Sequence, residues 1–446
     1  MGAQEVIGIL LSLTAISSYV NHKFIKLPKS IGLTLITLAI SLLIAISGQF
    51  GWNLDAFVQR LLDGIGFNET FLHGMLSFLL FAGALHVNTM ELAKHKVIIG
   101  ILATVTVVLS TFLIGFSTFF LTRFLNIAIP LELCLVFGAL ISPTDPIAVL
   151  GVLKTANAPK ALEMKIAGES LFNDGMGIVL FVVLLGLAAG SQQDWSWSKI
   201  VLFFFQQAVG GLIAGLILGW VTTRLLKTID DYEVSVILTL AIVTGGYTFA
   251  HSVLHVSGAI CMAIAGLVVG TSVHKGCMTK VTLKRLEGFW ELLDAVLNAI
   301  LFVLIGLEFL RITFRADHSL AAIGVIVIAI AARWISVAVP VACLSMFRKF
   351  SPNVVLMMTW GGLRGGISIA LALSIPQHEA RDFIIAITYA VVLFSIMVQG
   401  LTMGKLVRNL TQPNNPYSPA QPSLISMSDV SEMLHLPSPA EQSLPD

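Results

Sequence analysis

The chain has 446 residues, of which 56% are hydrophobic and 11% charged, with a formal net charge of +1. Together with a mean hydropathy of +0.91, these values exclude a soluble globular domain, and no nucleic-acid partner is expected. The composition is that of an integral membrane protein, and helices satisfy their backbone polar groups internally in lipid, so the expected fold class is all-α.

In chain order, about thirteen apolar stretches are long enough to cross a bilayer at close to 20 residues each. They run over residues 4–20, 31–49, 70–87, 97–121, 130–153, 163–189, 200–223, 233–250, 257–272, 290–310, 319–346, 353–374 and 382–404. Between the second and third, Leu54, Phe57, Val58, Leu61 and Leu62 fall on one side of a short helix expected to lie at the membrane surface. The N-terminus lacks a basic segment ahead of its apolar run, so the first span is expected to be retained rather than cleaved. Residues 411–446 shift to Pro, Ser, Asn and Gln, the composition of a short disordered tail. Trp195 and Trp197 fit an interfacial aromatic belt.

Positive loops stay cytoplasmic. With the N-terminus outside, eighteen Lys and Arg fall in the inner loops and six in the outer ones, which places the C-terminus in the cytoplasm. Only Arg333 and Arg364 are left, both inside apolar spans. Asp145, Glu169 and Asp174 are acids at similar depth, while Asp294 and Glu308 lie nearer predicted span ends and are weaker candidates. A charge at bilayer depth costs about 2.5–3.5 kcal/mol even on lenient scales, so these residues are expected to form a paired polar core.

Three motifs hold most of these charges. Ser142-Pro143-Thr144-Asp145-Pro146 sets two prolines in the fifth span, where each removes a backbone donor and blocks a regular helix. Irregular backbone at this depth is tolerated where it lines a cavity, and an acid at the break favours an ion site over a simple kink. In Glu169-Ser170-Leu171-Phe172-Asn173-Asp174-Gly175, helical spacing puts Ser170 and Asp174 on one face and Glu169 and Asn173 on the next. A hydroxyl and a carboxylate together suit a small hard cation. Gly361-Gly362-Leu363-Arg364-Gly365-Gly366 weakens the twelfth span around an arginine.

The fifth and twelfth spans are an odd number apart, so they cross in opposite directions. The expected architecture is an inverted repeat of two six-helix halves joined by the seventh span, with both breaks near the midplane. In that seventh span, Gly211, Gly215 and Gly219 read as a close-packing face. Cys134, Cys261, Cys277 and Cys343 show no metal-ligand spacing and are expected to be small core residues. His251 and His255 are read as surface histidines.

The runs GALISPTDPIAVLG from Gly138 and GESLFNDGMG from Gly168, with GGLRGG, resemble the NhaP branch of the monovalent cation/proton antiporters over about residues 5–410. The resemblance implies an NhaA/NhaP-like antiporter fold in an inner-membrane, multi-pass homodimer. It implies a core of residues about 97–189 and 319–404 moving against a dimerisation domain built from the rest of 1–410. It implies exchange of Na+, or alternatively Li+ or K+, for protons, with no cofactor and no enzymatic activity. By position, Asp174 resembles the carboxylate that binds either cation or proton, assisted by Ser170 and Thr144, with Asp145 its partner on the broken helix. Asn173 stands where the electrogenic branch has a second acid, which implies electroneutral one-for-one exchange. Glu169 and Arg333 resemble a buried ion pair, and Arg364 the charge that offsets carbonyls at the second break. Several relatives have an acid in the third helix where this chain has Ala82. An intramembrane aspartyl protease using Asp145 and Asp174 would explain neither the broken twelfth span nor the repeat, and an ion channel would place charged rings around a continuous pore.

Overall fold

A computed structural model describes residues 3–50, 54–65, 74–87, 98–145, 149–150, 153, 160–188, 197–311, 316–346 and 353–411. All regular structure among them is helical. Helices α1 (Ala3–Val20) and α2 (Lys29–Gln49) are followed by the short α3 (Leu54–Ile65) and by α4 (Leu76–Leu85). Then come α5 (Ile98–Phe124), α6 (Leu131–Ile141), α7 (Lys160–Ala188), α8 (Trp197–Leu226), α9 (Tyr232–Val253) and α10 (Gly258–Cys277). Finally α11 (Lys280–Glu308), α12 (Ala316–Ser345), the short pair α13 (Val354–Trp360) and α14 (Gly366–Leu373), and α15 (Arg381–Leu410) complete the described chain. Nine helices among the described residues are long and apolar enough to cross a membrane.

Two features match the expected irregularities. The fifth span stops being helical after Ile141, with residues 143–145 in irregular chain, and the twelfth is split into α13 and α14 by residues 361–365. The surface helix α3 forms and packs on α1 and α2. Val58, Leu61 and Leu62 are buried, whereas Phe57 is 42% exposed, so the apolar side is narrower than its spacing implied. The tail from residue 412, Pro146 and Trp195 lie outside the described residues.

The glycine stripe on α8 brings that helix against α10. A Cβ on Gly215 would approach the Cys261 carbonyl to 2.5 Å, one on Gly211 the Ser257 carbonyl to 2.8 Å, and one on Gly219 the Ala265 Cα to 3.1 Å. Close packing of small residues is how helices associate where no hydrophobic driving force exists between them. Farther along, Phe81 of α4 packs on Trp290 of α11 with ring centroids 4.8 Å apart. The Trp290 indole donates to Thr239 of α9 at 3.1 Å, which fixes the rotation of α11 about its axis.

Candidate functional site

The two breaks cross each other in the interior. Pro143 has no amide hydrogen and ends the α6 ladder, and the Asp145 amide donates to the Leu363 carbonyl of the second break at 2.7 Å. Asp145 also lies against Gly365, where a Cβ would collide with its carboxylate. Pro143 itself packs on α7 at Gly177, a position that a Cβ would close. The glycines of both α7 and the second break thus permit the backbone approach that the crossing needs.

Arg364 holds the crossing from behind. Its Nε donates to the Ile141 carbonyl at 3.1 Å and its Nη1 to the Gly362 carbonyl, one acceptor from each break. Its own amide donates to the Ser395 hydroxyl of α15 at 3.0 Å, and Ser395 in turn donates to Gln399 at 2.7 Å. A guanidinium with several donors is suited to carbonyls stripped of helical partners. Arg333 on α12 pairs with Glu169 on α7 at 2.7 Å, and both are buried. Its Nη2 also lies 3.5 Å from the Met358 carbonyl of α13, so one side chain links three helices.

On α7, Asn173 reaches the first break. Its Nδ2 donates to the Thr144 hydroxyl at 2.8 Å, and its Oδ1 lies 3.4 Å from the Thr144 amide. The Thr144 and Ser170 hydroxyls share a hydrogen bond at 3.0 Å. Asp174, one residue on, is only 5% exposed and takes no hydrogen bond or ion pair from the described residues. It borders a cavity of about 460 Å³ together with Thr144, Asp145 and Gly365.

The structure therefore brings together Thr144, Asp145, Ser170, Asn173 and Asp174, with Glu169, Arg333 and Arg364 packed behind them. Ala82 lines the same cavity and offers no side-chain oxygen. The cavity wall also contains Glu163, Glu291 and Asp294, and no Lys or Arg among its described residues. Its place in the predicted span makes Asp294 a weak candidate. α11 begins at Lys280, well before the apolar stretch, and this puts Asp294 mid-helix rather than at an end. Glu308, a weak candidate on the same ground, is buried and lies 3.5 Å from Arg311. Ser395 carried no motif that would have marked it. Among the described residues no three His, Cys, Asp or Glu side chains converge to hold a resident metal.

Residues 9–409 match the family described as "Sodium/hydrogen exchanger, transmembrane". The chain is 41% identical to the Na+/H+ antiporter NhaP of Pseudomonas aeruginosa over 411 residues, covering 91% of this chain and 96% of that one. It is 32% identical to the Na+/H+ antiporter NhaH of Halobacillus dabanensis, covering 90% and 96%. The structure of the sodium proton antiporter MjNhaP1 from Methanocaldococcus jannaschii matches with a TM-score of 0.72 over 91% of this chain and 99% of that chain, at 23% identity. That match shows a shared fold, and the relatives are transporters rather than enzymes. With its two crossing breaks, its buried carboxylate and this match over nearly its whole described length, the chain belongs to the transmembrane sodium/hydrogen exchanger family.

Proposed function

We propose that the chain is a secondary active antiporter that exchanges one Na+ for one H+ across the bacterial inner membrane, with cation and proton competing for Asp174. The observation that carries this reading is the Asp174 carboxylate itself, buried, unpaired among the described residues and facing a cavity. A carboxylate with no protein partner at that depth needs a cation or a proton to neutralise it, and the two are mutually exclusive there. Thr144, Ser170 and Asp145 supply further oxygens beside it, the donor type a small monovalent cation takes.

Asn173 supports the one-for-one stoichiometry. It is neutral, and both ends of its amide are engaged at Thr144, so it holds the break and adds no second titrating acid next to Asp174. Alternating access is read as an elevator movement, in which residues about 97–189 and 319–404 shift as a homodimer's core against the remaining helices. The Arg333–Glu169 pair and the Arg364 bonds lie wholly within that core. With the N-terminus outside, the cavity reaches toward the cytoplasm, because Glu163, which borders it, lies in the first turn of α7 near Lys160.

The test is Na+-driven proton flux in proteoliposomes. Asp174→Asn is expected to abolish it, and retained exchange would overturn the assignment. The same vesicles given K+ or Li+ distinguish a Na+ exchanger from a K+ exchanger. Na+ passage without coupled proton movement would identify a channel instead.

A further inference from the structure

The α11 wall of the cavity presents oxygens that the exchange reaction at Asp174 does not use. Asn298 Nδ2 lies 2.9 Å from the Asp294 carbonyl and 3.1 Å from Asp294 Oδ1. Both of those atoms accept, so the amide nitrogen must face them and the amide oxygen must point the other way. Asn298 is only 6% exposed and borders the cavity, yet its oxygen meets no donor among the described residues. The second carboxylate oxygen of Asp294 also receives no hydrogen bond from them. The two residues are four apart and share one face of α11. The Trp290 anchor, one turn before Asp294, fixes which way that face points. Asp174 and Asp145 line the same cavity, and α4 contributes Leu76, Leu79, Leu80, Ala82 and Gly83, none with a side-chain oxygen. Among the described residues, Asp145, Glu291 and His86 are the charged or titratable groups that act on Asp294.

We propose that Asp294 and Asn298 form a second cation subsite, in which one carboxylate oxygen and one amide oxygen on α11 hold a partly hydrated Na+ opposite Asp174 and deliver it to that carboxylate. An oriented amide oxygen and a carboxylate are both hard donors, suited to a monovalent cation that retains water on its remaining faces. The proposal rests on the exchange reading above and adds a site that the break residues do not provide.

The experiment compares full-length variants in proteoliposomes, reading the KM for Na+ and the maximal rate separately. Asp294→Asn and Asn298→Ala are each expected to raise KM roughly tenfold while the maximal rate stays within about twofold, and Asp294→Glu to restore most of the loss. An unchanged KM in both variants would overturn the subsite. A fall in maximal rate at constant KM, no better in Asp294→Glu than in Asp294→Asn, would also overturn it by showing a purely structural role. A binding arm separates the subsite from Asp174. In calorimetry with NaCl, the Asp174→Asn protein is expected to retain weak Na+ binding that the Asp174→Asn/Asp294→Asn protein lacks, and equal binding by the two refutes the proposal. Absence of Na+-driven proton flux in the wild type would instead remove the exchange reading, with the binding arm still deciding the subsite.

Discussion

Adjacent residues on α7 do opposite things, and the difference is one of partners. Asn173 is fully buried with both ends of its amide engaged at Thr144, whereas Asp174 has no partner among the described residues. Asn173→Ala would leave the Thr144 amide and hydroxyl without these contacts, a loss of about 1–3 kcal/mol, measurable as a lower unfolding temperature in detergent. Asn173→Asp keeps an acceptor for the Thr144 amide and exchanges the amide donor at the Thr144 hydroxyl for an oxygen that can accept from it, so it is expected to fold. It adds a second acid, so exchange should become sensitive to an imposed potential, where one net charge feels about 2.3 kcal/mol per 100 mV. The wild-type rate should stay nearly flat over the same potentials. The Glu169–Arg333 pair calls for a different comparison. Removing either partner alone leaves a buried charge and should cost about 3–5 kcal/mol, while Glu169→Leu with Arg333→Met should cost far less than the sum. Thermal unfolding of the three proteins decides it, and additive losses would show that the two residues act independently.

At the scale of elements, the breaks were legible because proline and glycine act on the backbone locally. Pro143 removes a donor wherever it is placed, and the glycines around Arg364 weaken a helix whatever surrounds them. Their meeting was legible only through the odd separation of the two spans, and the bond from Asp145 to Leu363 could not be read at all, since it depends on how α6 and α13 pack. α11 shows where hydropathy misleads. Lys280, Lys284, Arg285, Glu287 and Glu291 depress the average over its first half, so the apolar stretch begins ten residues after the helix does. Asp294 therefore read as a terminal residue although it lies about 21 Å along the helix. The start of α11 is set by Thr279, whose hydroxyl caps the Thr282 amide at 3.3 Å. The hydroxyls of Thr282 and Thr279 both donate to Asp230 in the α8–α9 loop, at 2.9 and 3.0 Å. These bonds, that from Thr282 first, hold the Asp230 carboxyl below its ordinary value of 3.8. A depressed folded-state value means that the stabilisation is present above pH 3.8 and is lost as pH falls through the folded value. The difference in unfolding temperature between the wild type and Asp230→Asn should accordingly narrow as the pH is taken below that point.

For the whole molecule, the cavity could not be read from any one segment, because its acids come from the first break, α7 and α11 and are spread from Asp145 to Asp294. What the chain order did convey was the inventory: which few charges lie too deep to face lipid. The structure pairs Glu169 with Arg333, turns Arg364 onto backbone carbonyls, and leaves Asp174 without a hydrogen bond or ion pair from the described residues. Gly177→Val tests the assembly as a unit, since its side chain would strike Pro143 and push α7 away from the first break. Exchange should be lost while the protein still inserts in the membrane, which flux and membrane-fraction yield measured together would show.

The crossing of the breaks also limits what can recognise the transported ion. The Ile141 and Gly362 carbonyls are turned toward Arg364, and the Leu363 carbonyl toward the Asp145 amide. Those three backbone oxygens serve to fasten the protein to itself, so on the exchange reading proposed above discrimination between ions of different radius would fall largely to exchangeable side chains such as Ser170, Thr144 and Asp145. An ion preference set in side chains can drift by single substitutions while the scaffold stays fixed, and one architecture can in this way serve cells that face quite different salts.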